Sequence, residues 1–317
     1  MKINILLAAL IMPVALAAQN TVGTSPAPAS AVTPAREPWT SSLIIRKGLD
    51  SKDDKDKPAN FSLTWPQDGK SNSYLVNAAA GMDLTHVYKG KGSLELLPSF
   101  SFNRNNQVKK EQYNMKGAIA ANLLLGRSDD VLGTHSFFSF FPTLQYMRNK
   151  IDTSSSFFAT AYFTWVKKGA HGFALSNYAN LGNSGFLLYA SPSAGLEYQN
   201  RFDVKKPGTK GDVTRLFFGG DVRLAFRNGK GLPKRFTGPK LFELTFTYAG
   251  RDQLGNGLPV REGYTYLLKS ELDYYPVTGL EDLCIGLSYN DGQDPIAAIE
   301  KQKFWQLAFK FKHDFTF

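Results

Sequence analysis

The sequence predicts an all-β chain folded as an antiparallel transmembrane β-barrel. Three observations carry this expectation: an even set of long runs that alternate apolar and polar residues, apolar faces that are unbroken and rich in aromatics, and an N-terminus built for export. After residue 60 no stretch sustains a helical period, and Gly, Asn, Asp and Pro punctuate the runs.

The export signal comes first along the chain. Met1-Lys2-Ile3-Asn4 is followed by an apolar stretch from Ile5 to Ala18, broken by Pro13, with small residues at Ala15 and Ala17. This is the pattern of a secretory signal peptide over 1–18, and it is too short to span a bilayer, which takes about 20 apolar residues. Residues 19–40 are rich in Pro, Ala, Ser and Thr, a composition that cannot bury a core, and read as a disordered leader. The barrel is then expected over 41–317. Cys284 is the only cysteine, so neither an internal disulfide nor a lipidated N-terminal cysteine is expected.

The strand runs fall near 60–66, 72–84, 92–104, 110–125, 135–148, 155–167, 184–201, 213–227, 239–251, 263–275, 281–290 and 303–317. These are twelve strands, or fourteen if Ser42–Lys47 and Phe173–Leu181 are strands as well. The alternation is clearest late in the chain. Leu216, Phe218, Val222, Leu224 and Phe226 share one face, opposite Arg215, Asp221, Arg223 and Arg227. Phe242, Leu244, Phe246 and Tyr248 oppose Glu243, Thr245, Thr247 and Arg251. Strands of a soluble sandwich usually run about five or six residues, and these are about twice that, as crossing a membrane requires. Tyr275–Gly279 reads as a tight turn, with longer loops at 252–262 and 291–302. The run Ser51–Pro58, of mixed charge, reads as a solvated loop.

The final segment settles the class. In Phe304–Phe317, the residues Trp305, Leu307, Phe309, Phe311, Phe315 and Phe317 share one parity, and Gln306, Lys310, Lys312, Asp314 and Thr316 share the other. Ten steps at roughly 3.3 Å, tilted by about 40°, make an apolar band about 25 Å tall. A terminal Phe closing an amphipathic strand resembles the C-terminal signature of bacterial outer-membrane β-barrel proteins of the porin-like kind. His313 departs from it, standing in the outward row. The resemblance implies that Phe309, Phe311, Phe315 and Phe317 are read by the barrel-assembly machinery. It also implies residence in the cell outer membrane, against outer-membrane lipids and lipopolysaccharide.

Lys and Arg number 37 against 27 Asp and Glu, a formal net charge of +10. For an exported chain without a recognisable binding module, that balance points to anionic solutes or lipids rather than nucleic acid. No catalytic constellation stands out: His171 and Ser176 lie too far apart for an outer-membrane lipid hydrolase, and Asp83 with His86, or Asp129 with Asp130, read as strand-end and turn residues. Asn290–Asp294 has oxygen ligands suited to Ca²⁺ but reads as a turn, so neither metal nor cofactor is expected.

The inward faces hold the informative residues. The basic ones are Arg215, Arg223, Arg227, Arg251, Lys269, Lys310 and Lys312, with Arg201 beside them. The acidic ones are Glu197, Asp221, Glu243, Glu271, Asp273 and Asp314. Such charge needs water or opposite charge around it. The expectation is a channel with a mixed-charge, Arg-rich lumen that passes small, anionic solutes. The alternative is a closed barrel acting as a receptor, adhesin or structural protein, its lumen plugged by the same charges in pairs.

Overall fold

A computed structural model gives the fold. It describes residues 39–49, 58–66, 73–88, 92–106, 112–129, 134–151, 153–168, 178–181, 185–204, 210–227, 240–257, 263–277, 283–294, 299–311 and 313–316. The signal peptide and nearly all of the leader lie outside them, as do His171, Ser176 and most of Ser51–Pro58.

The described residues are built of strands: β1 Thr40–Arg46, β2 Ala59–Pro66, β3 Ser73–Tyr88, β4 Gly92–Asn105 and β5 Gln112–Asp129. Next come β6 Thr134–Asn149, β7 Ser155–Lys168, β8 Tyr178–Asn180, β9 Phe186–Phe202 and β10 Gly211–Arg227. The last are β11 Lys240–Asn256, β12 Thr265–Tyr274, β13 Leu283–Asp294, β14 Ile299–Phe311 and β15 His313–Thr316. Neighbours are antiparallel and consecutive in sequence around most of the wall, the simplest order for hairpin-linked strands.

The sheet closes through β1 and β2, which are two halves of one strand. Both lie end to end along β3, where Arg46 pairs with Ala79 and Asn60 with Asn77. On the other side Ile45 pairs with His313 and Ala59 with Phe311. The two halves are separated by twelve residues of chain, and the even length of this excursion keeps the inward parity on both sides of it. With β14 and β15 also forming one strand, the barrel has twelve strands, and β8 is an extra one. Tyr178–Asn180 pairs with Leu187–Tyr189 of β9, beyond Ser193, where β9 stops pairing with β7. Of the two marginal segments, Ser42–Arg46 lies in β1 and Tyr178–Asn180 forms β8, while 173–177 lie outside the described residues; the count remains twelve.

Two loop expectations are corrected. β11 continues to Asn256, and β13 runs to Asp294 with β14 resuming at Ile299, so 252–256, 291–294 and 299–302 are strand, while 258–262 and 295–298 lie outside the described residues. The turn residues there are absorbed as irregularities of the ladder: Gly292 sits at φ +126° beside a register shift between Gly292 and Asp294, a conformation natural to glycine. Asn290–Asp294 therefore belongs to β13. β7 ends and β9 begins, and β10 ends and β11 begins, at the end of the barrel where Thr40 of the first strand and Thr316 of the last lie, the end of the termini.

Outward side chains are apolar around the whole wall, including Phe61, Phe100, Ile119, Phe138, Phe163, Leu196, Val222, Phe246, Leu287 and Phe309. Aromatic pairs reinforce this surface, such as Phe138 with Trp165 and Phe242 with Tyr274. An uninterrupted exposed apolar band of this size is stable only in lipid. On the β3–β6 side of the interior, Ile44, Ala79, Leu97, Ala120 and Phe141 pack together, with Tyr162 of β7 against them, among buried polar residues such as Glu95, Asn114, Ser139 and Gln145. Leu49, from the excursion, enters this cluster and is fully buried. The wall makes room at Gly81, where a Cβ would stand 2.5 Å from Leu49 Cδ1 and 2.6 Å from the Pro98 carbonyl oxygen. Gly81→Ala should cost about 1–3 kcal/mol in urea unfolding, as overpacking does. Adding Leu49→Ala should recover only part of that, because the Pro98 carbonyl cannot retreat.

Candidate functional site: the lumen of β9–β14

Across the lumen from Leu49, the wall of β9–β14 is charged, and its charges are arranged in linked clusters. The first forms around Glu197, which register places opposite Arg215 and Thr160. Its two carboxylate oxygens share one bifurcated hydrogen bond from Arg251 Nε, at 3.0 and 2.9 Å, and one of them accepts from the Tyr162 hydroxyl at 2.7 Å. Arg251 reaches it across Phe217, its guanidinium carbon 5.3 Å from that ring. The Phe217 and Tyr162 rings meet at 4.8 Å above Gly195, where a Cβ would collide with Tyr162.

Arg215 belongs to a second cluster. Its Nη2 donates to Gln199 Oε1 at 2.9 Å, and Arg201 Nη2 donates to the same oxygen at 3.0 Å. The third is Arg223 with Asp221, joined at 2.5 and 3.2 Å, with Thr247 donating to the other carboxylate oxygen at 3.3 Å. The Arg223 guanidinium also lies over the Tyr189 ring at 4.7 Å. These are short, charge-assisted contacts.

The fourth cluster lies toward the end that carries the termini. Lys310 bridges Glu271, at 3.0 Å, and Asp273, while Lys269 meets Glu271 at 2.7 Å and Lys240 meets Glu243 at 2.7 Å. Gly286 keeps the wall flat beneath them, since a Cβ there would strike Asp273 Oδ1 and the Lys310 chain. A small cavity opens over this cluster, lined also by Lys47, Pro58, Asn60 and Cys284.

The inward parity expected for these residues thus holds wherever the structure describes the side chain. Arg215, Glu197 and Asp221 are each 1% exposed and Lys310 4%, so each is packed among neighbouring side chains. Arg215, Arg223 and Arg227 do share one face of β10, but Arg215 and Arg223 are engaged in separate clusters and Arg227 is half-buried at the strand end. Lys312 and Phe317 lie outside the described residues. Asp314 and Phe315 sit in β15 opposite Ile44 and Leu43, and nothing further is described of their side chains. Phe309 and Phe311 face outward and are exposed.

Asp83 and His86 have opposite parities. Asp83 is inward and accepts from Thr85 at 2.6 Å, whereas the His86 ring stacks outside against Trp39 at 5.2 Å. They form no acid–base pair. Sequence reasoning missed Tyr162, Phe217, Tyr189 and Phe158 as lumen residues. Their even or odd positions could have shown it, but aromatics on both faces of a run mask the parity.

No protein-family model and no curated protein matches the chain. Among solved structures the chain is similar to the NanC porin, with 7% identity over 80% of this chain and 100% of that one, at a TM-score of 0.41. It is also similar to the translocator domain of the autotransporter NalP from Neisseria meningitidis, with 9% identity over 88% of each chain, at 0.39, and to the β domain of the Bordetella autotransporter BrkA, with 8% identity over 86% and 100%, at 0.41. The closed strand order and the continuous outward apolar band make the chain a twelve-stranded transmembrane β-barrel of the outer-membrane type.

Proposed function

We propose that the chain is an outer-membrane β-barrel whose lumen is sealed by its own side chains, acting as a receptor or structural protein rather than as an open pore. The observation that carries this reading is the burial and mutual pairing of Glu197, Arg251, Asp221, Arg223, Glu271 and Lys310. Charges are removed from water at a large cost unless paired, so a wall built this way is adapted to a filled lumen. Planar-bilayer recording on the refolded, signal-free chain tests it. The expected result is an intact barrel without steady conductance, and a stable open channel in most insertions would overturn the reading.

One observation favours a second reading, passage of small anions after rearrangement. The cavity over the fourth cluster is lined by Lys47, Arg223, Lys240, Lys269 and Lys310 against Glu243, Glu271 and Asp273, an excess of cations. If conductance appears, reversal potentials in a salt gradient should show anion preference, and Arg223→Glu with Arg227→Glu should weaken or invert it. Unchanged ion preference in that variant would count against this reading.

The assembly expectation is testable separately. Deleting Phe317 should lower the amount of folded protein in the outer membrane while leaving export intact, because in the sequence it shares the apolar parity of Phe309, Phe311 and Phe315. Normal levels in the deletion would argue against recognition by the assembly machinery.

A further inference from the structure

The outward face of β4–β6 departs from the apolar pattern at the end of the barrel opposite the termini. Register sets three rows across these strands. The first is Phe100, Gly117 and Tyr146. The second is Phe102, Met115 and Arg148. In the third, Arg104 pairs with Tyr113, and the Lys150 amide donates to the Tyr113 carbonyl at 2.8 Å.

Moving outward along the barrel axis, the surface therefore passes from aromatic to mixed to cationic within three rows. Arg104, Arg148 and Lys150 are all exposed, and the Arg104 guanidinium lies 5.7 Å from the centre of the Tyr113 ring. Among the described residues of these three rows there is no carboxylate. At the lower row the wall has a notch. Gly117 is exposed, flanked by Phe100 and Tyr146, and a Cβ placed on it would meet nothing within 4 Å.

We propose that this face is a binding site for a phosphorylated membrane lipid, with an acyl chain in the Gly117 notch and the phosphate held by Arg104, Arg148 and Lys150. The vertical order fits such a molecule. Its chain needs an apolar slot at the depth of Phe100 and Tyr146, and its phosphate needs cations one or two rows nearer the water. Guanidiniums bind phosphate oxygens in a bidentate way, and Tyr113 and Tyr146 sit where amphipathic aromatics stand at a membrane boundary. The site rests on the barrel class but not on whether the lumen is sealed.

Native mass spectrometry of the full chain refolded in detergent, titrated with phosphatidic acid and with phosphatidylcholine of the same acyl chains, tests it. Phosphatidic acid should be retained at least about tenfold better, a factor that three interfacial cations can readily supply. Arg104→Gln/Arg148→Gln/Lys150→Gln should abolish the preference. Gly117→Leu, which fills the notch and should fold because it projects into open space, should weaken retention of both lipids at this site. Lys301→Gln/Lys303→Gln on β14 should change neither. No preference in the parent chain, a preference that survives the triple change, or displacement by inorganic phosphate at concentrations equal to the lipid's would overturn the proposal.

Discussion

Glu197→Ala is expected to destabilise the barrel by about 3–5 kcal/mol, the cost of removing one partner from a buried ion pair. Glu197 takes both contacts from Arg251 Nε and one from Tyr162, and neither charge of the pair has appreciable access to water. Removing the carboxylate leaves a guanidinium packed on Phe217 without its main counter-charge. Urea unfolding in lipid vesicles reads the difference as a shift in midpoint. The combination Glu197→Leu with Arg251→Met should regain most of the loss, since apolar groups of similar volume replace buried pairs at little cost. If the lumen were an aqueous pore, water would solvate Arg251, and the single change would cost about 1 kcal/mol or less.

The second large effect concerns the opposite face. Val222 lies in β10 between Ala190 and Phe246 and is 47% exposed. In a soluble protein, Val→Arg at so exposed a site would be close to neutral, within about 0.5 kcal/mol. In a membrane barrel it should cost about 2–4 kcal/mol near the bilayer midplane, while Val222→Leu should be silent. Leu244, facing the same way on β11, should respond to arginine similarly. Tolerance of arginine at both positions would mean that the outward band does not meet lipid.

The sequence carried the strand pattern because period-2 alternation is a local property of the chain, and the lipid-facing half of it is nearly pure. Every charged residue expected inside β9–β14 and described by the structure faces inward for the same reason. The state of the lumen was not legible. Whether Arg215 meets water or Gln199 depends on register between neighbouring strands and on how far a side chain reaches across the interior, as Arg251 does over Phe217 to Glu197. The interrupted first strand was also hidden. Ser42–Lys47 reads as a marginal strand and 60–66 as a strand of its own, because only pairing with β3 and the last strand joins them. Leu49 stands in a short polar run, and nothing local distinguishes it from a loop residue. Its role comes from the space at Gly81, a residue of another strand.

Cys284 offers the most direct test of the proposal that the lumen is sealed. It is the only cysteine, it faces inward, and it is 2% exposed beside Asp273 and Lys310. A small, charged thiol reagent added to the barrel in vesicles reports on every molecule, whereas conductance registers only those that open. Reaction should be at least about tenfold slower than with the urea-unfolded chain, as burial shields a thiol from attack. Labelling of the folded barrel at nearly the unfolded rate would contradict a sealed lumen and would place water, rather than paired side chains, along the wall of β9–β14.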